Sequence, residues 1–301
     1  MKPVRRNVAL ALMVAAPVLW STAGVVTRHI ERAAPFEQVF WRSLFACAFV
    51  ASALLIMNKS PWRAVRAAGW PGAFSGAMWA LMFTAFVIAL SFTSTANTLV
   101  VMSVSPLLTA LLARLLLSDP VPLRTWLAAS AAAAGIAWMF GAGFSAHDAR
   151  HVAGMLIALL IPIASAANLI TLRASAARLN LVPAVMLGAA VSCLLALPLA
   201  LAFTATPRDI ALLAFLGFFQ LGLPCMLVVI ASRSLLAPEI ALLGLLEVVL
   251  GPLWAWLGAG EIPGIATLVG GAIVLLALVG NELAGFRRIM PPKVSVSRIS
   301  G

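Results

Sequence analysis

Residues 241–258 read ALLGLLEVVLGPLWAWLG, eighteen positions with a single charge, Glu247. A run of this length and composition matches the about 20 mostly apolar residues that carry a helix across roughly 30 Å of hydrocarbon. The spanning strands of a membrane barrel are about ten residues long and alternate in polarity, which this run does not. Moving outward, the same pattern recurs along the chain. Spans are predicted at 8–28, 36–57, 69–90, 96–117, 123–142, 152–174, 183–204, 209–231, 238–258 and 264–284. Over 301 residues the chain is 63% hydrophobic and 10% charged, with mean hydropathy +1.09, against roughly 45–50% apolar residues in soluble domains. Connectors stay within about a dozen residues, which excludes a soluble catalytic domain. Lys2, Arg5 and Arg6 ahead of the first run give it the look of a signal peptide. Nine similar runs follow, so it reads as a retained helix.

A net charge of +11 would suggest nucleic acid in a soluble chain, but here the placement of charge decides. With a cytoplasmic N-terminus the inner set is Lys2, Arg5, Arg6, Lys59, Arg63, Arg66, Arg114, Arg124, Arg173, Arg178, Arg233, Arg287, Arg288, Lys293 and Arg298. The outer set is Arg28, Arg32, Arg150 and Arg208. Basic residues collect on the cytoplasmic side, so both termini are expected there. Trp62, Trp70 and Trp126 fall at the inner boundary and Trp41, Trp138, Trp254 and Trp256 towards the outer one, forming an aromatic belt. Cys47, Cys193 and Cys225 lie within apolar runs without a Cys-x-x-Cys pair and read as small core residues.

The two halves align weakly. ALSFTSTANTLVVMSVSP from Ala89 lies over ASRSLLAPEIALLGLLEV from Ala231, and AAPVLWSTAGVVTR from Ala15 over LIPIASAANLITLR from Leu160. Each half holds five spans, and an odd number makes the second copy enter the membrane from the opposite side. The expected fold is an all-α integral membrane protein of ten transmembrane helices, built as two inverted-topology five-helix repeats. The boundaries are 1–146 and 147–290, with 291–301 a cytoplasmic tail.

Several motifs stand in order along the chain: VLWSTAGVV in the first span, ALSFTST before the fourth, and SVSPLLTALLARLLLSD within it. LLEVVLGPLWAWLGAGE and LVGGAIVLLALVG then follow in the ninth and tenth. In that order they resemble the ten-helix EamA-type members of the drug/metabolite transporter superfamily. VLWST also resembles the aromatic amino-acid exporters within it. There are departures from the family pattern: Ser118-Asp119 stands for Gly-Glu, and Glu247-Val248 for Glu-Pro. The resemblance implies export of small metabolites from a bacterial inner membrane, and a central cavity lined by helices one, three, four, six, eight and nine. The four-helix relatives couple to protons through a carboxylate in the first helix, which this chain lacks.

Glu247 lies mid-span, where a lipid-facing carboxylate costs at least about 2.5–3.5 kcal/mol, so it is expected to face the interior. It binds substrate or protons, or is a structural acid satisfied by a neighbour. Its repeat-equivalent is Ser105. Arg42 pairs with Glu247 or snorkels to the outer boundary. Trp20, Ser21, Met78, Trp79, Met82, Asn97, Ser103, Asn168 and Gln220 are expected substrate-binding residues; interhelical packing is the alternative for each. Asp119 and Glu261 are expected to cap the helices that follow them. Gly72, Gly76 and the small-residue run from Ala128 are expected close helix contacts.

The expected function is secondary transport of an amino acid, aromatic or neutral, or of a related metabolite, without a cofactor, metal or nucleic acid, by a monomer in the bilayer. No Gly-x-x-x-x-Gly-Lys-[Ser/Thr] motif is present for ATP. The competing readings are an exporter of other small metabolites or drugs and a lipid-modifying membrane enzyme. The enzyme's one candidate cluster is His147, Asp148 and His151, where a metal site would need a further convergent ligand, and a solvated connector between the repeats is the alternative.

Overall fold

Proline and glycine positions set where the helices of this chain begin, bend and stop. A computed structural model describes residues 4–57, 59–117, 122–145, 149–175, 179–235 and 237–289, and all regular structure among them is helical. In chain order the helices are α1 (Arg6–Thr27), α2 (Pro35–Ile56), α3 (Pro61–Phe92), α4 (Thr95–Met102), α5 (Ser105–Leu117), α6 (Leu123–Ser145) and α7 (Ala149–Ser175). They continue with α8 (Val182–Ala200), α9 (Pro207–Phe215), a π-helical turn (Leu216–Gly222), α10 (Leu223–Ala231), α11 (Ala237–Ala259) and α12 (Ile265–Ile289). Pro35, Pro61, Pro183 and Pro207 stand in first turns, where a missing N–H costs nothing. Among the described residues seven helical stretches are long and apolar enough to cross a membrane; Leu243–Ala259 and Ile265–Asn281 are shorter apolar helices.

Three irregularities shape the bundle. Gly69, at φ 54°, breaks α3 near one end. A positive-φ residue there needs glycine, and Pro71 stands in the first turn after the break, where a missing backbone donor is tolerated. The break frees Pro61–Ala68 from the spanning direction, with Arg66 over the Trp62 ring at 4.9 Å. The second irregularity separates α4 from α5 at Ser103 and Val104, where Pro106 removes a backbone donor and the Ser103 hydroxyl donates to the Val100 carbonyl at 2.6 Å. The third is the π-helical turn. Pro224 cannot donate back to Gln220, and the Leu223 N–H reaches one residue further, to Phe218. Such turns commonly mark functional positions.

The outside of the bundle is apolar. Ile56, Leu115, Leu194, Leu195 and Leu276 are exposed, a pattern that water disfavours and a bilayer accepts. So are Trp62, Trp70, Trp126, Trp138 and Trp256, at the helix ends that an aromatic belt requires. Inside, small residues let backbones approach. A Cβ on Gly135 of α6 would meet the Gly270 carbonyl of α12 at 2.8 Å, and one on Gly270 would meet the Gly135 carbonyl at 2.6 Å. Gly76 meets Leu187 of α8, and Ala128 and Ala132 are buried, while Gly72 lies nearest its own Ala68. The main pairings set α3 against α7 and α8, α2 against α8, α1 against α11, and α6 against α12; α7 also packs on α4 and α5.

One end of the bundle, the far end, is tied by carboxylates that accept from backbone amides. Glu37 accepts from the amides of Thr204 and Ala205 and from the Thr204 hydroxyl. Asp209 accepts from the amides of Glu31, Arg32 and Thr206, completing a capping box with Thr206. Glu261 accepts from the Thr95 amide and hydroxyl and from Arg28 Nε at 2.7 Å. It therefore caps α4, not the α12 that follows it, because the turn after α11 delivers it to the start of a helix from the other half. Asp119, the equivalent expectation, lies outside the described residues.

Candidate functional site

A cavity of about 470 Å3 lies between the helices. Its depth is built by Arg42 of α2, Gln220 of the π-helical turn and Glu247 of α11. Its sides are formed by Trp20, Trp79, Met82, Phe83, Phe86 and the broken α4–α5 segment around Ser103 and Pro106. From there the wall continues through Thr109, Arg124, Thr125, Ile240 and Asn281, towards the end of the bundle that carries the start of α6 and the end of α12. Among the described residues no wall residue comes from the far-end loops.

Arg42 is 4% exposed although it is a guanidinium in an apolar helix. Its Nε and Nη2 donate to Gln220 Oε1 at 3.2 and 2.9 Å, and its Cζ stands 5.3 Å from the centre of the Phe86 ring. Gln220 in turn donates to the Trp20 carbonyl at 3.3 Å. The register that permits this comes from Gly217, where a Cβ would meet the Arg42 carbonyl at 2.6 Å, so α2 lies directly on the π-helical turn. Arg42 is thus held among α1, α2, α3 and the π-helical turn, not snorkelled to the boundary. The long stem would have allowed snorkelling, but Gln220 supplies two hydrogen bonds at depth.

Glu247 lines the same cavity from α11. It forms no ion pair with Arg42: the salt bridges among the described residues are Arg28–Glu261 and Arg208–Glu31. The expected direct pair is therefore not made; Gln220 takes the Nε and Nη2 donors of the guanidinium. A cation and a carboxylate share one cavity without neutralising each other directly.

The other expected residues divide. Trp20, Trp79, Met82, Ser103, Asn168 and Gln220 line the cavity, with the Ser75 hydroxyl donating to Asn168 Oδ1 at 2.6 Å. Ser21 is buried elsewhere and accepts from Trp254 Nε1 at 3.1 Å. Met78 packs against the hydrophobic core. Asn97 points to a far-end network, donating to Thr93 and bonded to His151 Nε2 at 3.0 Å, while the Thr267 hydroxyl donates to Asn97 Oδ1 at 2.6 Å. His147 and Asp148 lie outside the described residues. Among the described residues no group of three His, Cys, Asp or Glu side chains could hold a metal ion.

Phe83, Phe86, Thr109, Arg124, Thr125, Ser165 and Asn281 line the cavity without having been expected there. The signal for Arg124 and Asn281 was polarity at the ends of apolar spans, where a boundary position is the usual reading. For Phe83 and Phe86 a helix that is apolar all round gave none.

A helical bundle with an apolar outside and a cavity holding Arg42, Gln220 and Glu247 in its depth is the build of a multi-pass membrane protein with an internal polar site. Residues 7–141 match the EamA-like transporter family, part of the drug/metabolite transporter superfamily; that family is one of membrane transporters of small molecules. A solved structure titled only "Crystal structure of protein" superposes with a TM-score of 0.66 at 19% identity, covering 95% of this chain and 100% of its own, a likeness of fold alone. No curated protein matches.

Proposed function

We propose that this chain exports an amino acid or a closely related metabolite by alternating access between two inverted five-helix repeats, 1–146 and 147–290, in a bacterial inner membrane. Both termini are cytoplasmic in this reading. The observation that carries it is the placement of Arg42 and Glu247 in one cavity without a mutual ion pair. A cargo carboxylate binds at the guanidinium, which Gln220 and Phe86 hold ready, and a cargo ammonium binds at Glu247. The apolar and aromatic wall takes a neutral or aromatic side chain.

Alternating access is supported by how the helices pair. Under the repeat, α1 corresponds to α7 and α4–α5 to α11. The contact of α1 with α11 then has its counterpart in the contact of α7 with α4 and α5. The pairs α2 with α8 and α6 with α12 are each their own counterpart. Broken helices beside a central site are the usual device of inverted-repeat transporters, and α4–α5 and α9–α10 both carry one. With the termini inside, the cavity is in its inward-facing state and the Arg28–Glu261–Thr95 contacts close the outer side. The test is uptake and counterflow of a labelled amino acid in proteoliposomes with an imposed pH gradient. Saturable uptake with counterflow is expected; no saturable uptake of any amino acid refutes the substrate class, and uptake without saturation or counterflow indicates a passive pore.

A further inference from the structure

Residues 61–68, the opening turns of α3, form a surface that neither the cavity nor the far-end contacts use. They precede the break at Gly69, so they are not bound to the direction in which the rest of α3 crosses. α2 begins at the far end, where Glu37 is tied, and runs 22 residues to Ile56, which puts residues 61–68 at the opposite end. Leu55 and Ile56, the last residues of α2, are exposed and apolar, and Lys59 stands three positions on. The chain therefore leaves the hydrocarbon-facing surface just before this segment begins.

The segment has two unlike sides. At about 3.6 residues per turn Trp62, Arg63 and Arg66 share one of them, and Ala64, Val65 and Ala68 the other. The first three are exposed, whereas Ala68 is buried and Ala64 and Val65 are half-buried. Small apolar residues thus face the bundle, and a basic, aromatic side faces away from it. The Arg66 guanidinium lies over the Trp62 ring, 4.9 Å from its centre, and Trp70 just past the break is 79% exposed. Neither Arg63 nor Arg66 belongs to an ion pair among the described residues, where the salt bridges are Arg28–Glu261 and Arg208–Glu31. Nor does the sequence offer a nearby acid, since it has none between Glu37 and Asp119.

A guanidinium presents a planar fork that matches a phosphate, and an indole favours the level where acyl chains meet headgroups. A helix that sets cations beside tryptophans lies at that level. We infer that residues 61–70 are an interfacial anchor for anionic phospholipid: Arg63 and Arg66 hold headgroup phosphate while Trp62 and Trp70 seat among the upper acyl chains. A bilayer is the anionic surface that this segment already borders, through Leu55 and Ile56. Zwitterionic lipid carries its own ammonium beside the phosphate, so the unpaired guanidiniums favour lipid with net negative charge. The inference needs only that the bundle spans a bilayer, and is independent of the cargo.

Thermal unfolding of the detergent-solubilised full chain tests it, with phosphatidylglycerol or phosphatidylcholine of the same acyl chains added. Two basic residues at an anionic surface favour the anionic lipid by roughly 30-fold. Phosphatidylglycerol is therefore expected to raise the melting point by roughly 4–8 °C more than phosphatidylcholine does. The double variant Arg63→Gln, Arg66→Gln is expected to keep the phosphatidylcholine response and lose most of the difference. The double variant Arg32→Gln, Arg208→Gln, which removes as much charge at the far end, is expected to retain the difference. Equal responses to the two lipids in the wild-type protein overturn the inference without any variant. A difference that survives the loss of Arg63 and Arg66, or that both double variants lose alike, also overturns it. So does an equal response to soluble glycerol phosphate at the same concentration, because phosphate without acyl chains then suffices.

Discussion

Removing the Glu261 charge is expected to open the far end of the bundle. Glu261 accepts from Arg28 Nε at 2.7 Å, from the Thr95 hydroxyl at 2.9 Å and from the Thr95 amide, tying α1, α4 and the turn after α11 together. Hydrogen bonds to a charged group contribute about 1.5–3 kcal/mol each. The Arg28 and Glu261 side chains are 33% and 17% exposed, so the lower part of that range applies. Glu261→Gln keeps the shape and one acceptor, and gives up about 2–3 kcal/mol of the contact. At tenfold per 1.4 kcal/mol this shifts the balance between closed and open far ends by roughly 30- to 150-fold. The assay is labelling of Thr98→Cys by a membrane-impermeant maleimide after Cys47, Cys193 and Cys225 have been replaced. Thr98 is fully buried, one turn below Thr95. Labelling should accelerate by about the factor above in Glu261→Gln. An unchanged rate would show that these contacts do not hold the far end closed.

Other predictions follow from single positions. Gly69→Ala places a side chain at φ 54°, which costs roughly 1–2 kcal/mol; detergent-solubilised protein should melt lower by roughly 2–4 °C per kcal/mol, and an unchanged melting point would argue against the break in α3. Gly270→Ala drives a Cβ into the Gly135 carbonyl and should cost about 1–3 kcal/mol, whereas Gly280→Ala on the same helix meets nothing within 4 Å and should be neutral or stabilising in the same melt. Glu247→Gln removes the cavity carboxylate with little change of volume. Counterflow of an amino acid should fall by roughly tenfold or more and lose its pH dependence, and wild-type counterflow in the variant would remove Glu247 from the site.

The places of the helices were legible because hydrocarbon length and apolar composition are properties of the chain itself. Pro106 and Pro224 stand at irregular turns, whereas Pro17, Pro162 and Pro252 lie inside continuous helices, so proline alone did not mark where a helix breaks. Which face of each helix turns inward was not legible. α8 and α11 are apolar all round, so periodicity carries no direction, and Phe83 could not be told from Met78. Polarity marked Gln220 and Glu247 as interior candidates and left Arg42 between interior and boundary; it marked Asn97 equally well, and Asn97 turns to His151 and Thr267 instead. Its partners come from helices distant in sequence. Glu261 shows the same limit: its type and position announced a cap, and only the tertiary arrangement decides that the capped helix is α4. The register joining Arg42 to Gln220 depends on Gly217 and a π-helical turn, neither of which has a local signature strong enough to read.

The central claim is that one cavity recognises both ends of a zwitterion through Arg42 and Glu247. It is tested most directly by counterflow of a labelled amino acid against three competitors: the unlabelled amino acid, its decarboxylated amine, and the acid lacking the amino group. The account predicts that only the intact amino acid competes well, with each truncated analogue weaker by roughly tenfold or more. It also predicts that Arg42→Gln erases the disadvantage of the amine but not that of the acid. Equal competition by all three in the wild-type protein would contradict it.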